Sequence, residues 1–361
     1  MELGKKMSLA LTGTGFMVLA AAGEAQSFEL TLDKTIGSQS GGPGQLALPQ
    51  GVDIQEGSEN IYVADSEKDR IAVFNQQGEF QSDFGQDQIG DEPAPLTFND
   101  ETGQLFVGDV GGNEIDVFNP DGTYDRSFGI GKFTVGTERP FEGPAGMAFT
   151  PDSETLYAAN YAGDEILKFD PETGEQLDSI GVRGDEAGQL YGPAAIDVSE
   201  SGNLYVSEQL NSRIQVLNPE GESIRTFGES RFRPVRPSSS QPVPADIGPG
   251  DLSGPVDLTL DEDNNVYVAD TLNNRIQAFD SQGNYITQFK EFPADPPGYF
   301  WTVGAKYENG KLYTSDFFNN RVVVADKVPE PSSVLGTALL GIGGAAVIVK
   351  RRLRQKLASR S

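Results

Sequence analysis

Residues 267–289 read YVADTLNNRIQAFDSQGNYITQF, and this stretch recurs along the chain. It holds three short runs in which apolar and polar residues alternate, at 267–270, 275–279 and 285–289. Between the last two, 280–283 (DSQG) has Asp first and Gly fourth, as a four-residue turn requires. A single unit of this kind cannot bury both faces of its sheet, so it needs neighbours like itself. The chain supplies them at Tyr62, Phe106, Tyr157 and Tyr205, and a sixth copy at Tyr313 stops after its second strand. The start-to-start spacings are 44, 51, 48, 62 and 46 residues. A period in the forties with several strands per unit is the mark of a β-propeller.

Each copy is preceded by one more strand signal, at 51–54, 95–98, 146–149, 195–198, 256–259 and 301–304, which makes four strands per blade. The sixth blade lacks its outer strand, while 28–37 (FELTLDKTIG) is an unpaired outer strand that reads like 80–85 and 124–129. Pairing the two closes the ring and removes an open sheet edge. The expected fold is all-β: a six-bladed propeller of four-stranded antiparallel blades, spanning 26–327.

The pattern Y-V-A-D-x-x-N-x-R-I-x-x-F-x-x-x-G, six times over 28–327, resembles the NHL repeat, as do linkers such as 188–193 (GQLYGP). The resemblance implies a six-bladed propeller and leaves function open, because propellers of this kind host unrelated activities.

Residues 1–25 read as a signal peptide: Lys5 and Lys6, an apolar run over 7–22, then small residues at 23 and 25. With no cysteine in the chain, redox compartment leaves no trace. The chain carries 27 basic and 54 acidic residues. Removing the leader and a tail after 327 leaves 19 basic and 51 acidic residues, a net charge of −32. Such a field repels phosphate backbones, which disfavours the RNA binding known for some NHL proteins. It favours solubility, cations or basic partners.

Within the repeat, Asp65 and Arg70, Glu208 and Arg213, Asp270 and Arg275, and Asp316 and Arg321 are each five apart. Each acid ends the second strand and each Arg begins the third, so the turn between them brings the pair together by charge-assisted hydrogen bonds. Blades 2 and 3 break the rule with Asp109 and Glu114, and Asn160 and Glu165; Asp116 and Asp164 lie nearby. Two such acid-rich loops side by side offer oxygen ligands to Ca²⁺, which takes about 6–8 of them, or a surface for a basic partner; the alternative is a solvated acidic loop.

Asp53, Asp197 and Asp257 recur at one position of the expected inner strands, in V/I-D-V/I/L contexts. They either form a partial carboxylate ring in the channel or accept hydrogen bonds from neighbouring blade backbone. The longest insertion, 229–253, holds the only basic cluster of the domain, Arg231, Arg233 and Arg236, and its prolines favour extended backbone. It is a candidate binding loop or a surface excursion.

The chain has no histidine and no cysteine. Ser-His-Asp chemistry, histidine bases, His-ligated zinc and thiol nucleophiles are therefore excluded. A Ca²⁺-dependent hydrolase or lyase with a carboxylate base remains the enzymatic alternative, although spacing assembles no such site. No other cofactor is implied.

Val328, Pro329, Glu330 and Pro331 open a tail in which an apolar run, 334–349, is followed by KRRLRQK at 350–356. With both serines the run, 332–349, reaches 18 residues, short for a bilayer but within reach, and the basic end fixes the cytoplasmic side. This three-part tail resembles the bacterial PEP-CTERM sorting signal. The resemblance implies a membrane-anchored precursor, an exosortase-type enzyme that recognises Pro329–Glu330–Pro331, and release to the cell surface or exopolysaccharide matrix. The expected function is a binding or scaffold module there; a purely structural matrix protein is the further alternative.

Overall fold

The computed structural model describes residues 27–37, 42–55, 57–58, 60–129, 131–133, 143–229, 248–290 and 302–329. The expected leader, Arg231, Arg233, Arg236, Glu330, Pro331 and the expected span 332–349 lie outside the described residues. Among those described, no α-helix occurs and none is long and apolar enough to cross a membrane.

Twenty-four strands form six four-stranded antiparallel sheets. The first strand, β1 (Phe28–Ile36), stands apart from the repeats. Blade 1 follows with β2 (Pro49–Ile54), β3 (Ile61–Asp65), β4 (Arg70–Phe74) and β5 (Phe80–Phe84). Blade 2 comprises β6 (Pro93–Phe98), β7 (Leu105–Asp109), β8 (Glu114–Phe118) and β9 (Tyr124–Phe128). Blade 3 comprises β10 (Pro144–Phe149), β11 (Leu156–Asn160), β12 (Glu165–Phe169) and β13 (Gln176–Ile180). Blade 4 comprises β14 (Pro193–Val198), β15 (Leu204–Glu208), β16 (Arg213–Leu217) and β17 (Ser223–Phe227). Blade 5 comprises β18 (Asp257–Leu260), β19 (Val266–Asp270), β20 (Arg275–Phe279) and β21 (Tyr285–Phe289). Blade 6 has only three strands of its own, β22 (Thr302–Glu308), β23 (Lys311–Asp316) and β24 (Arg321–Pro329), and β1 completes it.

That closure is the longest pairing in the molecule. It runs from Phe28 opposite Pro329 to Ile36 opposite Val322, with one bulge at Leu32/Lys34. The last strand thus extends through Val328 and Pro329, which are exposed at its end. The propeller's final strand therefore overlaps the start of the expected tail.

The middle strands of a blade are buried throughout: β3, β4, β7, β11, β15, β16, β19 and β20 expose no residue. A sheet covered on both faces must be apolar on both, so the polar–apolar alternation legible in the sequence does not become an alternation in burial. The core is accordingly divided into six clusters, each between two adjacent blades. The cluster between blades 5 and 6 takes Phe28 and Leu30 from β1, and the one between blades 6 and 1 takes Ile36. The N-terminal strand thus packs into two interfaces at once.

In every blade the hairpin joining second and third strands ends on a left-handed residue: Asp69, Asn113, Asp164, Ser212, Asn274 or Asn320, with φ between 49° and 59°. Asn and Asp tolerate this conformation better than other non-glycine residues, which explains the Asn or Asp written before most of the repeat arginines. The turn fixes the register, so that Asp65 faces Arg70, Glu208 faces Arg213, Asp270 faces Arg275 and Asp316 faces Arg321.

Candidate functional site

Two places gather charge: the hairpin ends just described, and the axial channel. At the hairpin ends the four acid–arginine pairs close as ion pairs. Arg70 Nε lies 2.7 Å from Asp65 Oδ2, Arg213 Nε 2.6 Å from Glu208 Oε1, and Arg275 Nε 2.6 Å from Asp270 Oδ2. Arg321 Nη2 lies 2.8 Å from Asp316 Oδ2. The acid also accepts a backbone N–H from the linker entering its blade: Ala47 onto Asp65 (2.5 Å), Tyr191 onto Glu208 (3.0 Å), Ser253 onto Asp270 (2.7 Å). The guanidinium in turn donates to linker carbonyls, Gln45 in blade 1, Asp185, Glu186 and Gln189 in blade 4, Gly248 and Asp251 in blade 5. The pairs of blades 1, 4 and 5 therefore each staple a linker to their blade. Sequence spacing misses three further members, the amides of Asn211, Asn273 and Asn319, which donate to the same acids at 2.6–2.9 Å.

Blades 2 and 3 were expected to offer acids jointly to one cation. In blade 3, Asn160 donates its amide to Glu165 (3.1 Å) and accepts from Gly163 N–H (3.0 Å). Asp164 is the left-handed turn residue; its carboxylate accepts Gly192 N–H (2.8 Å) and lies 3.7 Å from Arg183. These residues close on one another because an Asn amide supplies the donors that arginine supplies elsewhere. In blade 2, Asp109 accepts N–H from Gly90 (2.5 Å) and Asp91 (3.3 Å), the linker staple again, and from Gly112 (2.6 Å) in its own hairpin. No arginine follows. Glu114 sits at the arginine position, and Asp116, 1% exposed, has no hydrogen-bond partner on either carboxylate oxygen. Burial, then the charges of Asp109 and Glu114, push the Asp116 carboxyl up to about 8. Among the described residues no three acidic side chains converge as a formed metal cluster.

The channel is a cavity of about 600 Å³ lined by all six inner strands. Asp53 and Asp197 occupy equivalent places, opposite Tyr62 and Tyr205. Asp257 does not share that place, contrary to the match of V-D-L with V-D-I. It faces Ala269, two residues short of the level, and Thr259 stands opposite the equivalent Tyr267. A strand repeats every two residues, so an apolar–Asp–apolar motif fits either register equally well. The sixth inner strand likewise runs to Glu308 rather than stopping near 304, and puts Lys306 opposite Tyr313. The full level is Asp53, Thr97, Ala148, Asp197, Thr259 and Lys306. Counting four residues from the proline that opens most inner strands would have found it.

These side chains do two things. They tie each inner strand to the next blade: Asp53 accepts Phe98 N–H (3.1 Å), Asp197 accepts Leu260 N–H (2.8 Å), Asp257 accepts Ala305 N–H (2.7 Å) and Thr259 accepts Tyr307 N–H (3.2 Å). They also set the channel's charge. Lys306 Nζ lies 2.8 Å from Asp53 Oδ1. Burial acts to lower the Lys306 ammonium, but the charges of Asp53 and Asp197 outweigh it and hold it above the usual lysine range. Burial pushes the Asp257 carboxyl up to about 7 against the two N–H groups it accepts, and the Asp197 charge adds to the rise. With Asp100 and Glu200 also lining the cavity, the result is one cation among five acids, which suits a small polar or cationic guest.

A closed ring of six four-stranded blades around a polar channel defines a six-bladed β-propeller. The family model of the NHL repeat matches residues 252–279, covering the end of the linker, β18, β19 and β20, and the fold supports an NHL-type propeller. Among curated proteins, SUPPRESSOR OF QUENCHING 1, chloroplastic, of Arabidopsis thaliana is 23% identical over 275 residues. That match covers 64% of this chain and 25% of the relative, so the chain spans about a quarter of that protein's length. Similar solved structures include a protein of unknown function from Bacteroides thetaiotaomicron (TM-score 0.59, 16% identity, 84% of this chain and 76% of that one). A streptogramin B lyase aligns with TM-score 0.53 at 14% identity, over 84% of this chain and 87% of that one. A catalytically inactive virginiamycin B lyase variant from Staphylococcus aureus with quinupristin aligns with TM-score 0.54 at 16% identity, over 84% and 89%. At these identities the likeness is one of fold.

Proposed function

We propose that this chain is an exported NHL-type propeller acting as a binding or scaffold module at the bacterial cell surface or in the exopolysaccharide matrix. The observation that carries this reading is the junction at Pro329. The closing strand ends there, exposed, and the sequence continues directly into Glu330–Pro331, an apolar run and a basic end. A sorting enzyme of the exosortase type would meet its motif at the edge of a finished domain. Tail removal would leave the β1–β24 pairing intact save for its last residues.

The lyases among the similar structures raise an enzymatic alternative, a Ca²⁺-dependent hydrolase or lyase. The inactivating substitution named for the Staphylococcus aureus lyase replaces a histidine, and this chain has none. Sharing the fold does not transfer the activity. Cell fractionation with intact-mass analysis tests the proposal. The expected mature form lacks residues 1–25 and everything beyond the Pro-Glu-Pro region. A cell-associated form that retains residues 350–361 would reject processing. Turnover of a lactone or polysaccharide that needs Ca²⁺ would reject the binding-module reading in favour of the enzyme.

A further inference from the structure

We propose that blade 2 binds a hard divalent cation, Ca²⁺, in the place where four other blades hold an arginine guanidinium. This inference is independent of how the chain is sorted. In blades 1, 4 and 5 the guanidinium sits in a shell made of oxygen: the acid that ends the second strand and carbonyls of the incoming linker. Blade 2 keeps the frame of that shell, since Asp109 ties the linker through the N–H groups of Gly90 and Asp91 as the other acids tie theirs. It lacks the cation, because position 114 is Glu.

The next residue on the same face makes the difference sharper. In blades 4 and 5 it is Gln215 and Gln277, whose amides donate to the blade's acid at 3.1 and 2.9 Å. In blade 2 it is Asp116, two residues along β8 from Glu114 and near enough to feel the charges of Asp109 and Glu114. A donor has become an acceptor. Its two oxygens are buried and unpartnered, and a polar group in that state costs free energy unless something pairs with it. Asp109, Glu114 and Asp116 thus put three carboxylates at a hairpin end that elsewhere holds a positive charge. All-oxygen donors of this kind suit Ca²⁺, whose coordination is flexible, better than a soft or strictly octahedral metal. The three do not form a preorganised cluster, and Glu114, half-buried, would have to turn inward to complete one. Ion binding would therefore tighten the hairpin end and stabilise the fold, since the unfolded chain holds no such site.

The test is a titration of the purified full-length protein, first stripped with chelator, with CaCl₂ and separately with MgCl₂. Melting temperature and calorimetric binding are read together. Wild type is expected to bind one Ca²⁺ and gain about 2–4 °C or more in Tm at millimolar Ca²⁺. Glu114→Arg/Asp116→Gln rebuilds the blade 5 arrangement; it is expected to melt at or above the ion-free wild type and to ignore Ca²⁺. Asp116→Asn, the smaller change, is expected to weaken Ca²⁺ at least about tenfold, while Glu165→Gln in blade 3 leaves binding intact. Absence of binding to wild type, equal binding by the rebuilt variant or by Asp116→Asn, or a response to Mg²⁺ alone would each overturn the assignment.

Discussion

Replacing Arg275 by Ala should be among the most damaging single substitutions in the domain. Arg275 and Asp270 have no exposed side-chain surface, and the guanidinium also donates to Gln288 (3.0 Å), Gly248 O (3.1 Å) and Asp251 O (2.8 Å). Truncation leaves a fully buried carboxylate without its counter-charge and strips those carbonyls of their donor. Breaking one side of a buried ion pair costs about 3–5 kcal/mol, a large share of the roughly 5–15 kcal/mol that holds a typical domain together. The corresponding arginine of blade 6, Arg321, is 17% exposed, and water can replace part of what it provides. Its loss should cost about 1–3 kcal/mol. Removing both charges in blade 5, by Asp270→Asn with Arg275→Met, leaves no orphaned ion and should cost less than Arg275→Ala alone. Urea unfolding of the three variants and wild type gives the comparison, with midpoints shifted at unchanged slope. If Arg275→Ala loses less than about 1 kcal/mol, the pair does not staple its linker as described, and if Arg321→Ala loses as much as Arg275→Ala, burial does not set the cost.

Other outcomes follow from the channel. The Asp257 carboxyl titrates near 7 in the folded protein but near 3.8 when unfolded, so the native state holds its proton longer. Its contribution to stability is therefore greatest at low pH and is lost as pH rises from about 4 through 7. Asp257→Asn should flatten that decline by on the order of 1 kcal/mol, since channel water moderates the burial, and unchanged pH dependence in the variant would refute the assignment. Lys306→Met strands Asp53, and it should destabilise more than Lys311→Met at the surface, measured by thermal melting. A methyl group at Gly51 would strike the Ala94 carbonyl of the next blade, a backbone atom that cannot swing aside. Gly51→Ala should thus cost about 1–3 kcal/mol in the same melts, and a neutral result would mean the inner strands are less tightly apposed.

The fold was legible because the repeat is written six times: Tyr or Phe near the start of the second strand each time, Asp closing it in four copies and Arg opening the third in four. The closing role of β1 followed from one missing and one surplus strand. The acid–arginine pairs were legible too, because a five-residue spacing across a tight hairpin leaves them opposite each other. The channel was legible only in part. Asp257 was placed two residues from its true level and Lys306 was overlooked, since period-two alternation does not distinguish neighbouring registers on one face. The relation of blades 2 and 3 was hidden for another reason. Whether Asn160 and Glu165 bond each other while Asp116 finds nothing depends on side-chain direction, which a single sequence does not encode.

The account rests on a ring closed by its own first strand. Phe28, Leu30 and Ile36 are 3%, 8% and 1% exposed, and burying three such side chains contributes about 5–9 kcal/mol. That is comparable with the whole stability of a domain. The most direct measurement is calorimetric unfolding of the protein lacking residues 28–37. Closure as described predicts loss of the single cooperative transition; a melt that matches the intact protein in temperature and sharpness would contradict it.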